Sequence, residues 1–426
     1  MYRTIAVVGL GYVGLPLALT FYQQGYHVIG LDKDPRKLEA ARQGQSYLPD
    51  IGDDLLAEAA ASGRWRVTSQ YSDTRNAQAI VICVPTPVRD QMPDLSYLIA
   101  AAESLVPHLV PSQLVILESS TYPGTTRDVL MPILERSGLR TGDNLYIGYS
   151  PERIDPGNRS HPFTAIPKVI SGITEACLVQ IHHLYNSVFD RLVSVSTPET
   201  AEMTKLLENT YRFVNISFIN EFALICNRMK LDAWEIIDAA ATKPYGFSPF
   251  LPGPGVGGHC IPVDPLYLQW KAAELGVSSR FIELSEQINK SMPGYILEEL
   301  RSHFQTATLA GRRVLVVGVA YKADVSDIRE SSAMELLQLL VEENCEVAYH
   351  DELVPAIPLE DDSLHSTDLT PDTIRDNDIV ILATVHRGLP VPMLLEHASL
   401  IYDTRNATQG QSGKAAVMRL GGGQGG

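Results

Sequence analysis

Apolar positions in this chain come first in short unbroken runs, then at long helical spacing, then in short runs again. Thr4-Ile-Ala-Val-Val8 is the first run. Gly9-Leu-Gly11-Tyr-Val-Gly14 and Leu15-Pro-Leu-Ala-Leu-Thr20 follow it. That order predicts strand, tight turn and helix. Further runs at His27-Val-Ile-Gly-Leu31, Ala79-Ile-Val-Ile-Cys-Val84, Leu114-Val-Ile-Leu117 and Leu145-Tyr-Ile-Gly148 read as buried strands. Strands alternating with helical stretches predict a parallel, doubly wound sheet.

The pattern changes at Pro198. Helical periodicity then continues towards Ala241, with no strong breaker across Thr200 to Lys230. Leu266 to Gly276 and Arg280 to Asn289 are also expected to be helical. A third region opens at Gly311-Arg-Arg-Val-Leu-Val-Val-Gly318, without GxGxxG spacing, and adds strands at Cys345–Tyr349, Asp378–Leu382 and Leu400–Tyr402. The expected fold is α/β: two Rossmann-like doubly wound parallel-sheet domains joined by a helical dimerisation domain. The boundaries fall at residues 1–197, 198–305 and 306–420, and Gly421-Gly-Gly-Gln-Gly-Gly426 is expected to be a disordered tail.

Composition narrows the class. The chain has 426 residues, 45% hydrophobic and 20% charged, which suits two or three cored domains. No apolar run reaches the roughly 18 residues of a membrane helix. The N-terminus enters a strand at once, without a signal-peptide core. A net charge of −16 argues against nucleic acid or an anionic membrane as partner. An anionic ligand would need local cations, backbone N–H groups or helix N-termini. Five cysteines (Cys83, Cys177, Cys226, Cys260, Cys345) form no Cys-x-x-Cys, so neither a disulfide framework nor a metal site is expected. A reduced cytoplasm is the expected compartment.

The first turn carries the cofactor signal. Gly9-x-Gly11-x-x-Gly14 follows a strand and opens a helix, and Asp32 ends the next strand, so a dinucleotide is expected. Gly9 and Gly11 allow the turn and the approach of a pyrophosphate, with Tyr12 and Val13 between the glycines, and Gly14 lets the helix pack on the sheet. Asp32 would bind the ribose hydroxyls and repel a 2′-phosphate, favouring NAD over NADP, although Lys33 and Arg36 lie nearby. Val84-Pro-Thr-Pro87 and Glu118-Ser-Ser-Thr-Tyr-Pro-Gly-Thr125 end later strands. This makes Pro85, Thr86, Ser120 and Thr121 candidates for the nicotinamide half or the substrate.

Cys260 is the most informative single residue. It lies in Pro252-Gly-Pro-Gly-Val-Gly-Gly-His-Cys-Ile-Pro-Val-Asp264, where four glycines would let backbone approach a ligand and a carboxylate follows four residues on. A thiol so displayed beside a nicotinamide-binding fold points to covalent catalysis. Glu202, Lys205 and Asn209 share one helix face at i, i+3 and i+7. Spacing alone favours a solvated face there, although a Lys and an Asn together could bind a hydroxyl and then an oxyanion.

In one chain order stand Gly9–Gly14, Val84–Pro87, Ser150-Pro-Glu-Arg153, Lys205/Asn209, Gly257-Gly-His-Cys260 with Asp264, and Gly318-Val-Ala-Tyr-Lys322. This resembles the UDP-glucose/GDP-mannose dehydrogenase family over roughly residues 1 to 410. The resemblance implies NAD-binding, helical dimerising and UDP-binding domains, and a homodimer. It implies a four-electron oxidation of a sugar C6 alcohol to a carboxylate with two NAD, through a Cys260 thiohemiacetal and thioester. Lys205 and Asn209 would stabilise oxyanions, Asp264 would assist proton transfer, and Thr121 and Glu152 would position or activate water. Tyr321 and Lys322 would meet the UDP end, and Arg329 the NAD. Lys243, Tyr245 and Phe250 lie in a segment that would complete a partner's site.

The nucleophile loop differs from the Gly-Gly-Ser-Cys-Phe-Pro-Lys-Asp of the UDP-glucose branch, and Pro156, beside Asp155, replaces a second acid of that branch. Lys243–Gly255 and Ser150–Gly157 look instead like the UDP-N-acetylglucosamine or N-acetylgalactosamine 6-dehydrogenases of bacterial surface polysaccharides. Arg153 would then donate to an acetamido group, or merely cap a loop. UDP-N-acetylmannosamine is the second choice and UDP-glucose the third. A two-electron dehydrogenase of the 6-phosphogluconate type would not need Cys260 or the third domain. A non-catalytic NAD-binding protein would be expected to lack Cys260, Lys205 or Asp264, and all three are present.

Overall fold

The computed structural model describes residues 3–48, 51–89, 92–153, 162–258, 261–358 and 363–423. His259 and Cys260 therefore lie outside the described residues, as do Asp155 and Pro156. The chain divides into two compact units, Met1–Asn209 with Val263–Ser278, and Thr210–Pro262 with Ser279–Gly426. The boundary between the two units falls inside a single helix, Pro198–Met229.

In the first unit the strands are β1 (Thr4–Val8), β2 (His27–Leu31), β3 (Trp65–Thr68), β4 (Ala79–Ile82), β5 (Gln113–Leu117), β6 (Leu145–Tyr149), β7 (Lys168–Gly172) and β8 (Leu192–Ser194). They form one sheet in the order β8-β7-β6-β5-β4-β1-β2-β3. The stretch 3-2-1-4-5-6 is the Rossmann order, and its reversal lies between β1 and β4. All pairs are parallel except β6 with β7. The reason for the continuous apolar runs is visible in β1: Ile5 and Val7 enter one core cluster, Ala6 and Val8 the other. Both faces are covered, so no polar alternation survives. Three strands escape the sequence pattern. β3 and β8 are short, and β7, Lys-Val-Ile-Ser-Gly, opens on a lysine.

The second unit carries β9 (Arg313–Val317), β10 (Glu346–His350), β11 (Ile379–Leu382), β12 (Leu400–Asp403) and β13 (Ala416–Arg419), all parallel, in the order β10-β9-β11-β12-β13. This 2-1-3-4-5 order is the flavodoxin-like variant of the doubly wound sheet. The helix Arg280–His303 runs well past its expected end at Asn289, with Pro293 inside it. Met292, Ile296, Leu297 and Leu300 are buried at helical spacing, and their burial offsets the hydrogen bond that proline removes.

The expected tail needs correction. Gly421 and Gly422 are buried, and Gly421 O accepts the Ala233 N–H at 2.8 Å. Trp234 Nε1–H donates to Leu420 O at 2.8 Å. At Gly421 a Cβ would stand 2.9 Å from that of Ala223, so the glycine is a packing residue. Only residues 424–426 of the tail lie outside the described residues. No helix among the described residues is long and apolar enough to cross a membrane.

Candidate active site

In the first unit the turn after β1 is built for a close approach. Gly9 has φ +96° and its N–H donates to Leu31 O at 2.8 Å. A Cβ on Gly14 would stand 1.8 Å from Gly9 O, whereas one on Gly11 would meet nothing within 4 Å. Gly9 and Gly14 thus shape the turn, and Gly11 leaves open space. The helix Gly14–Gln23 has no side-chain cap and no acid in its first turn, so its N-terminal N–H groups suit a pyrophosphate. Tyr12 and Val13 are partly buried against the core.

Asp32 sits at the carboxyl end of β2. Its Oδ2 accepts the Leu10 N–H at 2.9 Å and its Oδ1 that of Asp34 at 2.9 Å. Lys37, not singled out from sequence, reaches it at 3.6 Å. Arg36 is 90% exposed and pairs with Asp34 instead, at 2.9 Å. Lys33 lies over the Tyr97 ring. These residues fit the adenosine half of NAD, with Asp32 as the ribose acceptor. At the next strand ends Pro85 is exposed, but Thr86 is buried and donates to Ser120 O at 2.6 Å. Tyr267 O–H donates to Thr86 O. Thr121 is fully buried, its hydroxyl 2.6 Å from that of Thr125.

The helix face at Glu202, Lys205 and Asn209 is not solvated. Glu202 is fully buried and accepts N–H bonds from Gly124 (2.6 Å) and Thr126 (2.9 Å), plus the Thr126 hydroxyl at 2.6 Å. Burial pushes its carboxyl up to about 7, against those donors. Asn209 Nδ2 donates to Asp264 Oδ2 at 2.5 Å, and Lys205 is 8% exposed. Asp264 begins the helix Asp264–Glu274 and is 1% exposed. Burial raises its carboxyl to about 6, opposed by the Lys205 charge and by hydrogen bonds from Asn209 and Ser120. Lys205, Asn209, Asp264 and Ser120 therefore form one constellation: an ammonium, an amide and a carboxyl that titrates near neutrality.

Glu152 is nearly sealed and ion-paired to Lys168 at 3.0 Å, with Glu118 at 2.8 Å on the same ammonium. Arg153 is a clamp. Its Nε and Nη2 take both Glu208 oxygens at 3.2 and 2.6 Å, and Nη1 donates to Pro167 O at 2.8 Å. These contacts are those of the loop-capping alternative.

The second unit holds the glycine loop before Cys260. Gly253 N–H donates to Asn220 Oδ1 at 2.9 Å, Asn220 Nδ2 to Asn289 Oδ1 at 2.9 Å, and Asn289 Nδ2 to Ser217 Oγ at 2.6 Å. A Cβ on Gly253 would stand 2.5 Å from Arg405 Nη1, and one on Gly257 2.5 Å from Glu330 O. At Gly258, φ +91°, it would meet the Tyr321 ring at 2.6 Å. The loop glycines were expected to admit a ligand. At Gly253, Gly257 and Gly258 the room is taken by the protein itself. Tyr321 N–H donates to Asp327 O, and Arg329 binds the Asp327 carboxylate through Nε and Nη2, its own carbonyl accepting the Gly258 N–H. Lys322 is partly buried. Lys243 and Tyr245 are exposed, with Lys243 over the Tyr245 ring at 5.0 Å, and Phe250 packs edge-on against Tyr211.

Sequence reasoning missed Arg405, two residues past β12. Its Nε donates to Ala383 O at 2.9 Å, and among the described residues no ion pair closes on its guanidinium. Burial lowers it to about 10, with Asp403 pulling the other way. The available signal was a cation at the carboxyl end of a sheet strand, where such folds bind ligands. Lys168 and Glu118 were missed too. Glu118 directly follows the β5 run and Lys168 opens β7.

A Rossmann-order unit with an NAD-shaped turn, joined in sequence to a flavodoxin-order unit with a glycine loop, defines a bipartite dinucleotide-dependent dehydrogenase. The chain belongs to the UDP-glucose/GDP-mannose dehydrogenase family: residues 3–189 match its NAD-binding domain, 199–291 its central domain and 315–410 its UDP-binding domain. It is an NAD-dependent oxidoreductase of UDP-sugars. Over 394 residues it is 36% identical to the UDP-N-acetyl-D-glucosamine 6-dehydrogenase of Pseudomonas aeruginosa, covering 90% of each chain. It is 33% identical over 386 residues to the UDP-N-acetyl-D-mannosamine dehydrogenase of Pyrococcus horikoshii, covering 90% of this chain and 89% of that one. A solved UDP-D-ManNAc dehydrogenase from Pyrococcus horikoshii superposes with TM-score 0.89 at 30% identity, covering 99% of this chain and all of that one.

Proposed function

We propose that this enzyme oxidises the C6 hydroxyl of a UDP-N-acetylhexosamine, UDP-N-acetylglucosamine first, to the uronate. The Lys205–Asn209–Asp264 constellation carries the reading. Bound NAD supplies a hydride acceptor for each of two successive oxidations. Asp264, titrating near 6, is suited to take a proton as the alcohol becomes an aldehyde. The Cys260 thiolate then adds to the aldehyde carbon, and Lys205 with Asn209 stabilises the resulting oxyanion as thiohemiacetal. Loss of a second hydride leaves a thioester. Water, activated by Glu152 and held near Thr121, attacks its carbonyl, expelling the thiolate and releasing the carboxylate. Tyr321, Lys322 and the partly buried Arg405 supply donors and positive charge for the UDP end, which a chain of net charge −16 must provide locally. Relatives at 36% and 33% identity act on N-acetyl sugars of both the gluco and manno series, which supports the N-acetyl class and leaves UDP-N-acetylmannosamine as the second reading.

A homodimer in the cytoplasm is part of the same reading. Tyr211, Phe218, Ile225 and Met229, spaced at seven, seven and four along one helix, are each at least half exposed. Such a stripe suits a second copy of this helix. Sedimentation should give a dimer, and Phe218→Glu a monomer. A native monomer would end this part of the reading.

The deciding experiment counts NADH per mole of UDP-GlcNAc, UDP-GalNAc, UDP-ManNAc and UDP-glucose, with Cys260→Ser alongside. Two NADH from one N-acetyl sugar, lost in the variant, is the expected result. One NADH, insensitive to the substitution, would reduce the enzyme to a two-electron dehydrogenase.

A further inference from the structure

Beneath Glu152 lies a cluster of charge that the chemistry above does not use. Glu118, from the end of β5, Glu152, from the loop after β6, and Lys168, from the start of β7, have side chains 0%, 7% and 3% exposed. Lys168 Nζ donates to Glu118 Oε2 at 2.8 Å and to Glu152 Oε2 at 3.0 Å. Tyr185, from the helix Glu175–Tyr185, donates its hydroxyl to Glu118 Oε1, and the Arg153 N–H donates to Glu152 Oε1 at 2.7 Å. The Tyr185 and Phe189 rings cover the ammonium at 5.7 and 5.3 Å.

We propose that Lys168, backed by Glu118 and Tyr185, is the positioning unit that holds Glu152 charged and aimed for its attack on the thioester through water. This inference rests on the role given to Glu152 above. Two sealed carboxylates around one ammonium would leave a net buried negative charge if both ionised. One of them therefore keeps a proton near neutral pH. Burial pushes Glu118 up to about 7 against the pull of Lys168. Burial also works upward on Glu152, but Lys168, a hydrogen bond from Glu118 and the Lys205 charge together bring it below the ordinary carboxylate range. The proton thus rests on Glu118 and the charge on Glu152, a pair of carboxyls driven apart by their surroundings. Cys83 and Tyr149, two further titratable neighbours of these carboxyls, are held neutral chiefly by burial. A purely structural tie between three strand ends would need a buried cation but would not need the second acid.

The test is kcat against pH for the full-length enzyme and its fastest UDP-sugar, comparing Lys168→Met, Lys168→Arg, Glu118→Gln and Glu152→Gln. Lys168→Met should lower kcat about tenfold at neutral pH and move the acidic limb up by about one unit, while KM for NAD holds. Lys168→Arg should restore the limb. Glu118→Gln, which mimics the protonated acid, should keep the native limb. A folded Lys168→Met with the native profile overturns the proposal. If Lys168→Met does not fold, an acidic limb moved by Glu118→Gln overturns it instead, because Glu118 would then have carried the charge. Full activity in Glu152→Gln would show that the role of Glu152 had failed, and the positioning role with it.

Discussion

The two sheets of this protein open with the same turn and put it to different uses. Gly9 and Gly318 each follow the first strand of their sheet with positive φ, +96° and +82°, and each donates its N–H to the last residue of the neighbouring strand at 2.8 Å. An aspartate stands just past that neighbouring strand in both, Asp32 and Asp351. Asp32 accepts one amide from the glycine turn and one from its own loop, which leaves lone pairs for a ribose. Asp351 is sealed. Its Oδ2 takes the amides of Val319 and Ala320 and Nε2 of His386, and its Oδ1 those of Leu353 and Val354. After the turn, the next helix starts at Gly14 in one unit, but not until Ser332 in the other. Tyr321 and Lys322 fill the longer connection, so no helix N-terminus stands close behind Gly318. The position of an acid in a doubly wound sheet therefore says little until its hydrogen bonds are counted.

Asp351→Ala should give the largest contrast. It strands four amides and an imidazole N–H in the second unit and should cost about 4 kcal/mol of unfolding free energy in denaturant titration. Asp32→Ala should leave stability within about 1 kcal/mol while raising KM for NAD at least tenfold. Equal stability losses would erase the distinction. The glycines sharpen it next. Gly318→Ala meets Thr384 O at 1.9 Å at a positive φ and should destabilise by about 3 kcal/mol. Gly11→Ala, with nothing within 4 Å, should leave the melting temperature alone and weaken NAD binding. A smaller effect belongs to Arg36→Ala. Its exposed guanidinium is spent on Asp34, so KM for NAD should change less than about threefold, and less than in Lys37→Ala.

Legibility followed the physical range of each signal. The β1–Gly9–Gly14 opening could be read because runs buried on both faces and glycine spacing are local properties of the chain. The face bearing Glu202, Lys205 and Asn209 could not be judged, since spacing shows which residues share a face and not what covers it. Its cover comes from Gly124 and Thr126, 78 and 76 residues away. Lys168 and Glu118 meet across 50 residues, and no local pattern announces such a pair. Arg153 shows the converse. A motif suggested a ligand donor, and Glu208, 55 residues on, had already taken much of the guanidinium. Gly253, Gly257 and Gly258 each make room for a protein neighbour, and a missing Cβ in a sequence does not say for whom it makes room.

The comparison extends to pH, with opposite signs at Glu202 and Asp264 on one side and Asp351 on the other. Glu202 and Asp264, in the first, are raised to about 7 and about 6, chiefly by burial. The folded state there keeps protons that the unfolded chain would release. Their contribution to stability is therefore full below the ordinary carboxylate range and is lost as pH rises towards 7. Asp351, in the second, is lowered: burial works upward, but the His386 hydrogen bond and charge and the amides of Val319 and Leu353 outweigh it. Its contribution is present above the ordinary aspartate value and is lost only as pH falls below it. Hydrogen exchange of β5 and β6 amides, corrected for intrinsic rate, should thus show less protection at pH 8 than at pH 5, and that loss should shrink in Glu202→Gln. Any loss at amides of β9 and β11, where Glu299 and Glu335 are also raised by burial, should be indifferent to Glu202→Gln. A parallel loss in both units, indifferent to Glu202→Gln, would mean that the buried carboxyls of the first unit are ionised throughout, and the acid–base assignment of Asp264 would go with them.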